Sequence, residues 1–172
     1  MDENKTIMEK IRESFTLQAN NFESSNMNFS KKEYLEYTVK CMNLKPSDVV
    51  LEAAVGTCAC GRSIAPYVKS VTCYDATSAM LEVGIKEAKD ENLNNIKFIE
   101  GLVENMPFED NQFDILISRL AYQHFSDIKS AFKEMARVVK ENGKSKTGFK
   151  PWLKDGEIYF WQRWLLLIGE KY

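Results

Sequence analysis

Residues 48–75, DVVLEAAVGTCACGRSIAPYVKSVTCYD, decide how the chain folds. This segment contains two short apolar runs, 48–52 and 70–75, and each run ends in an acid. Between the runs lie a turn that contains Gly56 and Gly61 and a stretch with helical spacing. A strand that is followed by a turn, a helix and a second strand is typical of a βαβ unit with parallel strands.

The same alternation continues toward the C-terminus. Thr77 is expected to cap the next helix, and Ser126 or Asp127 the one after it. Residues 95–100 and 113–118 are expected to form the third and fourth strands. The pattern predicts an α/β domain with a Rossmann-like parallel sheet and helices on both faces.

Two helical segments precede this alternation. Ile7, Ile11 and Phe15 recur four residues apart, which is the spacing of one helix face. We assign residues 1–46 to an N-terminal helical segment and residues 47–172 to the Rossmann-like core.

Length and composition exclude several classes of protein. A chain of 172 residues suits one domain, and a net charge of −2 with scattered basic residues argues against a nucleic-acid partner. The polar N-terminus has no secretory signal, and the longest aliphatic run, 165–168, is far below the roughly 20 residues that span a bilayer. We therefore expect a soluble cytoplasmic protein without a membrane partner, whose four cysteines are reduced thiols.

The residues that predict chemistry follow the strands. Gly56 suits a turn in which the backbone comes close to a ligand. Asp75 ends the second strand about 20 residues later, as does the acid that binds ribose hydroxyls in nucleoside-binding folds. An ordinary tight turn and a helix-capping acid remain the alternative for either residue taken alone.

Two other nucleotide sites fit the sequence poorly. The dinucleotide fingerprint G-x-G-x-x-G is not present. Residues 56–63 match the P-loop pattern G-x-x-x-x-G-K-[ST] except that Arg62 replaces the lysine. Arginine does not substitute for lysine at so tight a phosphate site, and the fourth strand does not end in an Asp that could hold Mg²⁺.

Five segments between about residues 48 and 144 carry a family resemblance. They are VLEAAVGT (50–57), TCYDATSAML (72–81), FIEGLVENMPF (98–108), FDILISRLAYQHF (113–125) and ARVVK (136–140). In this order they resemble the class I S-adenosylmethionine-dependent methyltransferases, in particular those related to ubiquinone/menaquinone-biosynthesis methyltransferases. The resemblance implies S-adenosylmethionine as cofactor and a small-molecule methyl acceptor as partner.

The resemblance also implies roles for residues near the first two strands. Glu52 would organise the glycine loop and face the amino end of the cofactor, and Gly56 would let the backbone approach its methionine part. Asp75 would accept both ribose hydroxyls, and Ala76 would lie against the adenine. Ala54 belongs to the same cofactor-binding loop.

Four further residues receive cofactor roles in the same way. Leu102 and Val103 would frame the adenine edge through backbone groups. Ser118 and Arg119 would border the methionine carboxylate and the transferred methyl group.

This chain departs from the family's pattern at three positions. The loop usually carries glycines where Ala54 and Cys58 stand here. The adenine loop usually has an acid where Leu102 stands, and its loss removes one hydrogen bond, worth ~1 kcal/mol net. These departures leave a second interpretation open, which is a catalytically degenerate domain that binds S-adenosylmethionine or a protein partner.

Methyl transfer needs alignment and exclusion of water more than it needs reactive side chains. His124 is the sole histidine and follows the fourth strand, so it is the candidate base for an acceptor that must lose a proton. A packing histidine in a loop is the alternative. Cys58, Cys60 and Cys73 lack a fourth ligand of suitable spacing, so we expect no metal.

In this family the segment before the core often covers the cleft as a lid. We therefore expect an N-terminal helical lid, in which Phe15, Phe22 and Met27 are candidates for substrate contact.

After Lys144 the family continues into a fifth parallel strand, which this chain lacks between Lys144 and Ser145. Natural loss, an engineered deletion and a segment missing from the sequence all explain this. The remaining segments, 157–161 and 164–170, resemble a closing antiparallel strand pair. The open sheet edge predicts either a break in space at this join, or closure by the C-terminal strands or by a second subunit, as in a homodimer.

Overall fold

A computed structural model of the chain describes residues 6–24 and 31–140, and the backbone of three short strands within 152–167. Its helices are α1 (Ile7–Gln18), α2 (Lys32–Cys41), α3 (Ala59–Ile64), α4 (Ser78–Asp90) and α5 (Ile128–Val138). Its strands are β1 (Val49–Ala53), β2 (Ser70–Asp75), β3 (Ile96–Glu100), β4 (Ile115–Arg119), β5 (Trp152–Lys154), β6 (Glu157–Tyr159) and β7 (Leu166–Leu167).

The main sheet has the strand order β3-β2-β1-β4-β7. Strands β1 to β4 are parallel, and β1 lies between β2 and β4. The chain therefore leaves β1 toward one side and returns on its other side at β4. Ligands bind at such a switch point, outside the carboxyl ends of the strands.

The sheet separates two apolar clusters, because successive residues of a strand point to opposite faces. Val50, Val71 and Ile117 pack on the face that α2 and α3 cover, together with Met42 and Ile64. On the other face, the strand residues Leu51, Tyr74 and Leu116 pack against Met135 and Val138 of α5. The predicted α/β sheet with helices on both faces is confirmed.

Local sequence explains where the helices begin. Thr6 and Glu9 form a capping box at the start of α1, in which Thr6 Oγ1 accepts from the Glu9 amide and Glu9 Oε2 from the Thr6 amide. Asp127 caps α5 by accepting the amides of Lys129 and Ser130, as the sequence predicts. Thr77 is the N-cap of α4 by position, but its side chain accepts no capping hydrogen bond.

The predicted C-terminal strand pair is wrong in its pairing. Strand β6 pairs with β5, from Trp152↔Tyr159 to Lys154↔Glu157, rather than with the segment after it. Strand β7 instead joins the main sheet, antiparallel to β4, at Ser118↔Leu167 and Arg119↔Leu166. The C-terminal segment thus pairs with the carboxyl end of β4. The join at residues 144–145 lies outside the described residues.

The helices between residues 6 and 140 are all too short or too polar to cross a bilayer.

Candidate active site

A cavity of about 760 Å³ lies at the carboxyl ends of β1, β2 and β4, beneath helix α1. Its volume is within the range of roughly 300–1,000 Å³ that is usual for cofactor and small-molecule sites. Nine of the ten sequence-predicted site residues line it: Glu52, Ala54, Gly56, Asp75, Ala76, Leu102, Val103, Arg119 and His124. The structure thus brings the separate motifs together in one place.

The loop after β1 depends on left-handed backbone at three alternate positions. Ala54, Gly56 and Cys58 have φ values of 54°, 58° and 60°. Glycine adopts this conformation freely, whereas a residue with a Cβ loses about 1–2 kcal/mol. Ala54 and Cys58 are therefore strained where the family pattern has glycine, and only Gly56 is relaxed.

Glu52 organises this loop from inside the protein. Its Oε2 accepts a hydrogen bond of 2.6 Å from the Gly61 amide and lies 3.5 Å from Cys58 Sγ. Burial raises the pKa of Glu52 to about 7, although Arg119, the Gly61 amide and Arg62 act in the opposite direction. Glu52 is thus a buried carboxyl group that titrates near neutral pH.

Asp75 connects the loop to the end of β2. Its Oδ2 accepts from the Gly56 amide and its Oδ1 from the Thr77 amide, each at 2.8 Å. Burial raises the pKa of Asp75, and the amides of Gly56 and Thr77 partly offset this effect. The Thr77 hydroxyl and the Ala76 amide also donate to Asp75, which lines the cavity.

Helix α1 closes the cavity from above. Phe15 packs edge-to-face against His124 with 5.0 Å between ring centroids, and against Phe22 with 6.2 Å. The Phe22 ring lies over Gly56, with its Cε1 3.4 Å from where a Cβ would be. Phe15 and Phe22, the predicted candidates for substrate contact, therefore both lie at the cavity. Met27 lies outside the described residues.

Two ion pairs attach the N-terminal segment to the core. Arg12 Nη2 lies 2.5 Å from Glu100 Oε1 at the end of β3. Arg62, which is almost fully buried in α3, binds both carboxylate oxygens of Glu23 and also pairs with Glu91. The Arg62 guanidinium group is therefore already paired with carboxylates and is not positioned to bind a phosphate. This agrees with the rejection of a P-loop.

The end of β4 separates two residues that the sequence placed together. Arg119 lines the cavity, but Ser118 does not, because its side chain is on the opposite face of the strand and is 1% exposed. Ser118 Oγ has no hydrogen-bond partner in the described part of the chain. Ser118 is therefore a packing position rather than a cavity-lining one.

His124 lies in the 3₁₀ turn Tyr122–His124 that follows β4. The Gln123 side-chain nitrogen is 3.2 Å from His124 Nε2. An amide nitrogen donates, so this contact makes Nε2 the acceptor and the basic nitrogen of the ring. Burial lowers the pKa of His124, which favours the neutral imidazole that a base requires.

The expectation that all cysteines are reduced is wrong for two of them. Cys58, which has a left-handed backbone at the N-terminus of α3, forms a disulfide with Cys73 of β2. Cys41 and Cys60 take no part in a disulfide, and burial raises the pKa of Cys60. Glu52, Cys58 and Cys73 also bring potential metal-ligand atoms within 4.8 Å of one another, a cluster that sequence spacing did not predict.

Sequence reasoning missed several cavity residues. Arg12 faces the site, although the apolar spacing in α1 singled out only Ile7, Ile11 and Phe15. Other missed residues come from loops after strands; they include Thr77, Gly101, Leu120, Ala121 and Phe125. A charged residue beside an apolar helix stripe was the available signal for Arg12.

Comparisons with known proteins agree with this geometry. The family model described as "Methyltransferase domain" matches residues 51–145. The uncharacterized methyltransferase YcgJ of Bacillus subtilis (strain 168) is 34% identical over 116 residues, which cover 67% of this chain and 46% of YcgJ. Demethylmenaquinone methyltransferase of Staphylococcus carnosus (strain TM300) is 30% identical over 150 residues, or 83% of this chain and 61% of that protein.

Solved structures show the same relation. The crystal structure of YcgJ matches with a TM-score of 0.63 at 33% identity, covering 66% of this chain and 49% of YcgJ. A putative S-adenosyl-L-methionine-dependent methyltransferase of Methanococcus maripaludis matches with a TM-score of 0.63 at 25% identity, covering 84% of this chain and 65% of that one. The chain spans about half the length of the curated relatives it matches. From its residues 51–145 and the fold around them, the chain belongs to the class I S-adenosylmethionine-dependent methyltransferase family.

Proposed function

We propose that this chain binds S-adenosylmethionine beneath α1 and transfers its methyl group to a small-molecule acceptor. The observation that carries the proposal is the convergence of Gly56 and Asp75, hydrogen-bonded to each other, on a cavity of cofactor size. Membership of the methyltransferase family supports it independently.

The residues present fit the cofactor. Asp75 lines the cavity, and hydrogen bonds from ribose hydroxyls would stabilise its buried negative charge. Glu52 and Arg119 both line the cavity and interact electrostatically, and a bound ammonium group would favour the ionised form of Glu52. This pair suits the ammonium and carboxylate groups of a bound amino acid, so we assign the methionine part to these two residues and adenine to Ala76, Leu102 and Val103.

The chain's own contribution to the reaction is alignment. S-adenosylmethionine, when bound, supplies an electrophilic methyl group, so no residue has to activate the donor. Phe15, Phe22 and Phe125 line the cavity with apolar surface that excludes water from the acceptor. His124 Nε2 can take a proton from an acceptor hydroxyl or amine that displaces the Gln123 amide from this nitrogen.

The acceptor is proposed to be a small molecule with an apolar body. Several relatives are named demethylmenaquinone methyltransferases, and a small-molecule acceptor agrees with the mostly apolar cavity. A cytoplasmic location and a homodimer remain predictions, and light scattering of the purified chain tests the second. We also propose that α1 acts as the lid and that α2 does not, because α2 packs against α3 in the core.

A second candidate function is a domain that binds the cofactor without catalysis. The strained positions Ala54 and Cys58 favour it, because they make the cofactor loop more costly to form. Release of labelled methyl groups to a panel of acceptors separates the two functions. Transfer to any acceptor excludes the degenerate domain.

Calorimetry with S-adenosylhomocysteine tests the proposed site. Asp75→Ala should weaken binding at least tenfold, since hydrogen bonds to a charged acceptor contribute about 1.5–3 kcal/mol each. Asp90→Ala is the matched control, since Asp90 is exposed at the end of α4 and far from the cavity lining. Equal affinity of the two variants would contradict the assignment.

A further inference from the structure

The disulfide joins the cofactor loop to the strand that carries Asp75. Cys58 and Cys73 are 15 residues apart in sequence, and their Cα atoms are 6.1 Å apart. Both cysteines are fully buried, and Asp75 follows Cys73 by two residues. The bond therefore reaches from the N-terminus of α3 to the base of the proposed ribose site.

The two ends of this bond differ in how firmly they are held. Cys73 is in the middle of β2 and pairs with Glu52 of β1 on one side and Phe98 of β3 on the other. Cys58 is in the loop, in a left-handed conformation that a residue with a Cβ disfavours. The sheet therefore provides a fixed point that can hold Cys58 in an otherwise unfavourable backbone.

The loop around Gly61 is tightly packed against the two sulfur atoms. A Cβ on Gly61 would contact Cys58 Sγ, lie 2.7 Å from Glu52 Oε2 and lie 3.0 Å from Cys73 Sγ. Gly61 also donates to Glu52, so the turn and the sulfur pair are packed as one unit. Movement of Cys58 is thus transmitted to the loop that contains Gly56.

We propose that Cys58 and Cys73 form a thiol–disulfide site that sets the affinity of the loop for the cofactor, a proposal that rests on the proposed function. The disulfide replaces the missing glycine at position 58 by holding the left-handed turn that the cofactor requires. Reduction releases Cys58 and lowers the affinity.

The bond forms from two thiols and a low-molecular-weight disulfide such as oxidised glutathione. One cysteine thiolate attacks the oxidant and displaces one glutathione thiolate, which leaves a mixed disulfide. The other cysteine thiolate attacks this mixed disulfide and displaces the second glutathione, and the two cysteine protons end on two reduced glutathione molecules. The cysteines are oxidised and the glutathione disulfide is reduced. Because both cysteines are fully buried, this exchange should be slow in the folded protein.

The first measurement is a thiol count by alkylation under denaturing, non-reducing conditions, read by intact mass. Protein treated with oxidised glutathione should have two alkylated cysteines, Cys41 and Cys60, and reduced protein all four. The second measurement is calorimetry with S-adenosylhomocysteine on both forms. The oxidised form should bind about fivefold to thirtyfold more tightly, the equivalent of the left-handed strain.

Three variants test the mechanism. Cys73→Ser should bind weakly with or without reductant, whereas the double variant Cys58→Gly, Cys73→Ser should bind tightly in both, because glycine needs no tether. Cys41→Ser changes an exposed thiol and should retain the redox response. Circular dichroism checks that each variant is folded.

The outcomes separate this inference from the proposed function. If no form binds S-adenosylhomocysteine, including the glycine variant, both ideas fail. If all forms bind equally, or four thiols alkylate after oxidation, the redox site is overturned while the cofactor site stands. Stoichiometric zinc on reduced protein, lost in Cys73→Ser, would also overturn it in favour of a metal site at Glu52, Cys58 and Cys73.

Discussion

Arg12 on the lid helix and Glu100 at the end of β3 form an ion pair, with 2.5 Å between Arg12 Nη2 and Glu100 Oε1. Each side chain is about half exposed, at 45% and 46%. Solvent screening limits such a pair to about 0.2–1 kcal/mol. The ion pair therefore contributes little to overall stability, but it joins α1 to the sheet beside the cavity.

Arg12→Gln should release α1 without unfolding the protein. We expect dissociation of S-adenosylhomocysteine to become up to about fivefold faster in stopped-flow experiments, the equivalent of losing an exposed ion pair. Lys32→Gln is the control, because it removes a more exposed ion pair with Glu36 on α2, which does not line the cavity. An identical dissociation rate in both variants would show that the Arg12 pair does not hold the lid.

The single histidine allows a direct test of the proposed base. His124 gives the only histidine signal in a proton NMR titration of the untagged chain. Because burial lowers the pKa of His124, we expect a titration midpoint below 6.5. The neutral imidazole that acts as the base is then lost as the pH falls through this midpoint. Phe15→Ala should raise the midpoint toward 6.5, whereas Leu17→Ala, at an 80% exposed position of the same helix, should not. A wild-type midpoint at or above 6.5 is the contrary result.

Glu52 should make stability depend on pH. The unfolded carboxyl group loses its proton near pH 4.5, whereas the folded one keeps it to about pH 7. Between these values the folded state binds more protons, so the free energy of unfolding falls as pH rises. Glu52→Gln lacks this titration. The free energy of unfolding of the wild type minus that of the variant, measured with urea, should therefore decrease from pH 4.5 to 7. A difference that does not vary with pH would contradict the raised pKa.

Ala54→Gly should stabilise the chain. Relief of the left-handed strain, less the entropy cost of glycine, predicts a gain of about 0.5–1 kcal/mol in the free energy of unfolding. Ala88→Gly, inside helix α4, should instead lose about 1 kcal/mol. Thermal or urea unfolding of the two variants measures both effects, and a loss at both positions would rule out strain at Ala54.

Much of the fold could be predicted because strand ends and turns are local features. The alternation of apolar strands with capped helices defines β1 to β4, and Asp75 and Gly56 mark the cleft by their spacing. The burial of Ser118 away from the cavity was not predicted, because family motifs give positions along a strand, whereas the face of a residue depends on where the strand starts. Closure of the β4 edge by a C-terminal strand was one of the predicted outcomes, and β7 does pair with β4. The pairing of β6 with β5 was missed, because the 157–161 segment was expected to pair with the segment after it.

The lid and the disulfide show a different limit. The stripe Ile7, Ile11 and Phe15 predicts an apolar helix face, but the pattern is the same whether that face covers a core or a cavity. Likewise, Cys58 and Cys73 appeared to be ordinary small residues. Their contact depends on the left-handed turn at Cys58 and on the place of Cys73 in β2, neither of which the sequence spacing indicates.

Helix α1 has no buried residue, yet Ile11 and Phe15 line the cavity. A helix of 12 residues is marginal by itself in water, since most helical stability comes from packing. A molecule that fills the cavity would supply the packing that α1 lacks, so that ordering of the helix and occupancy of the site become one cooperative event. Amide hydrogen exchange in α1 should then slow on binding, and the binding heat capacity should be negative because apolar helix surface leaves water.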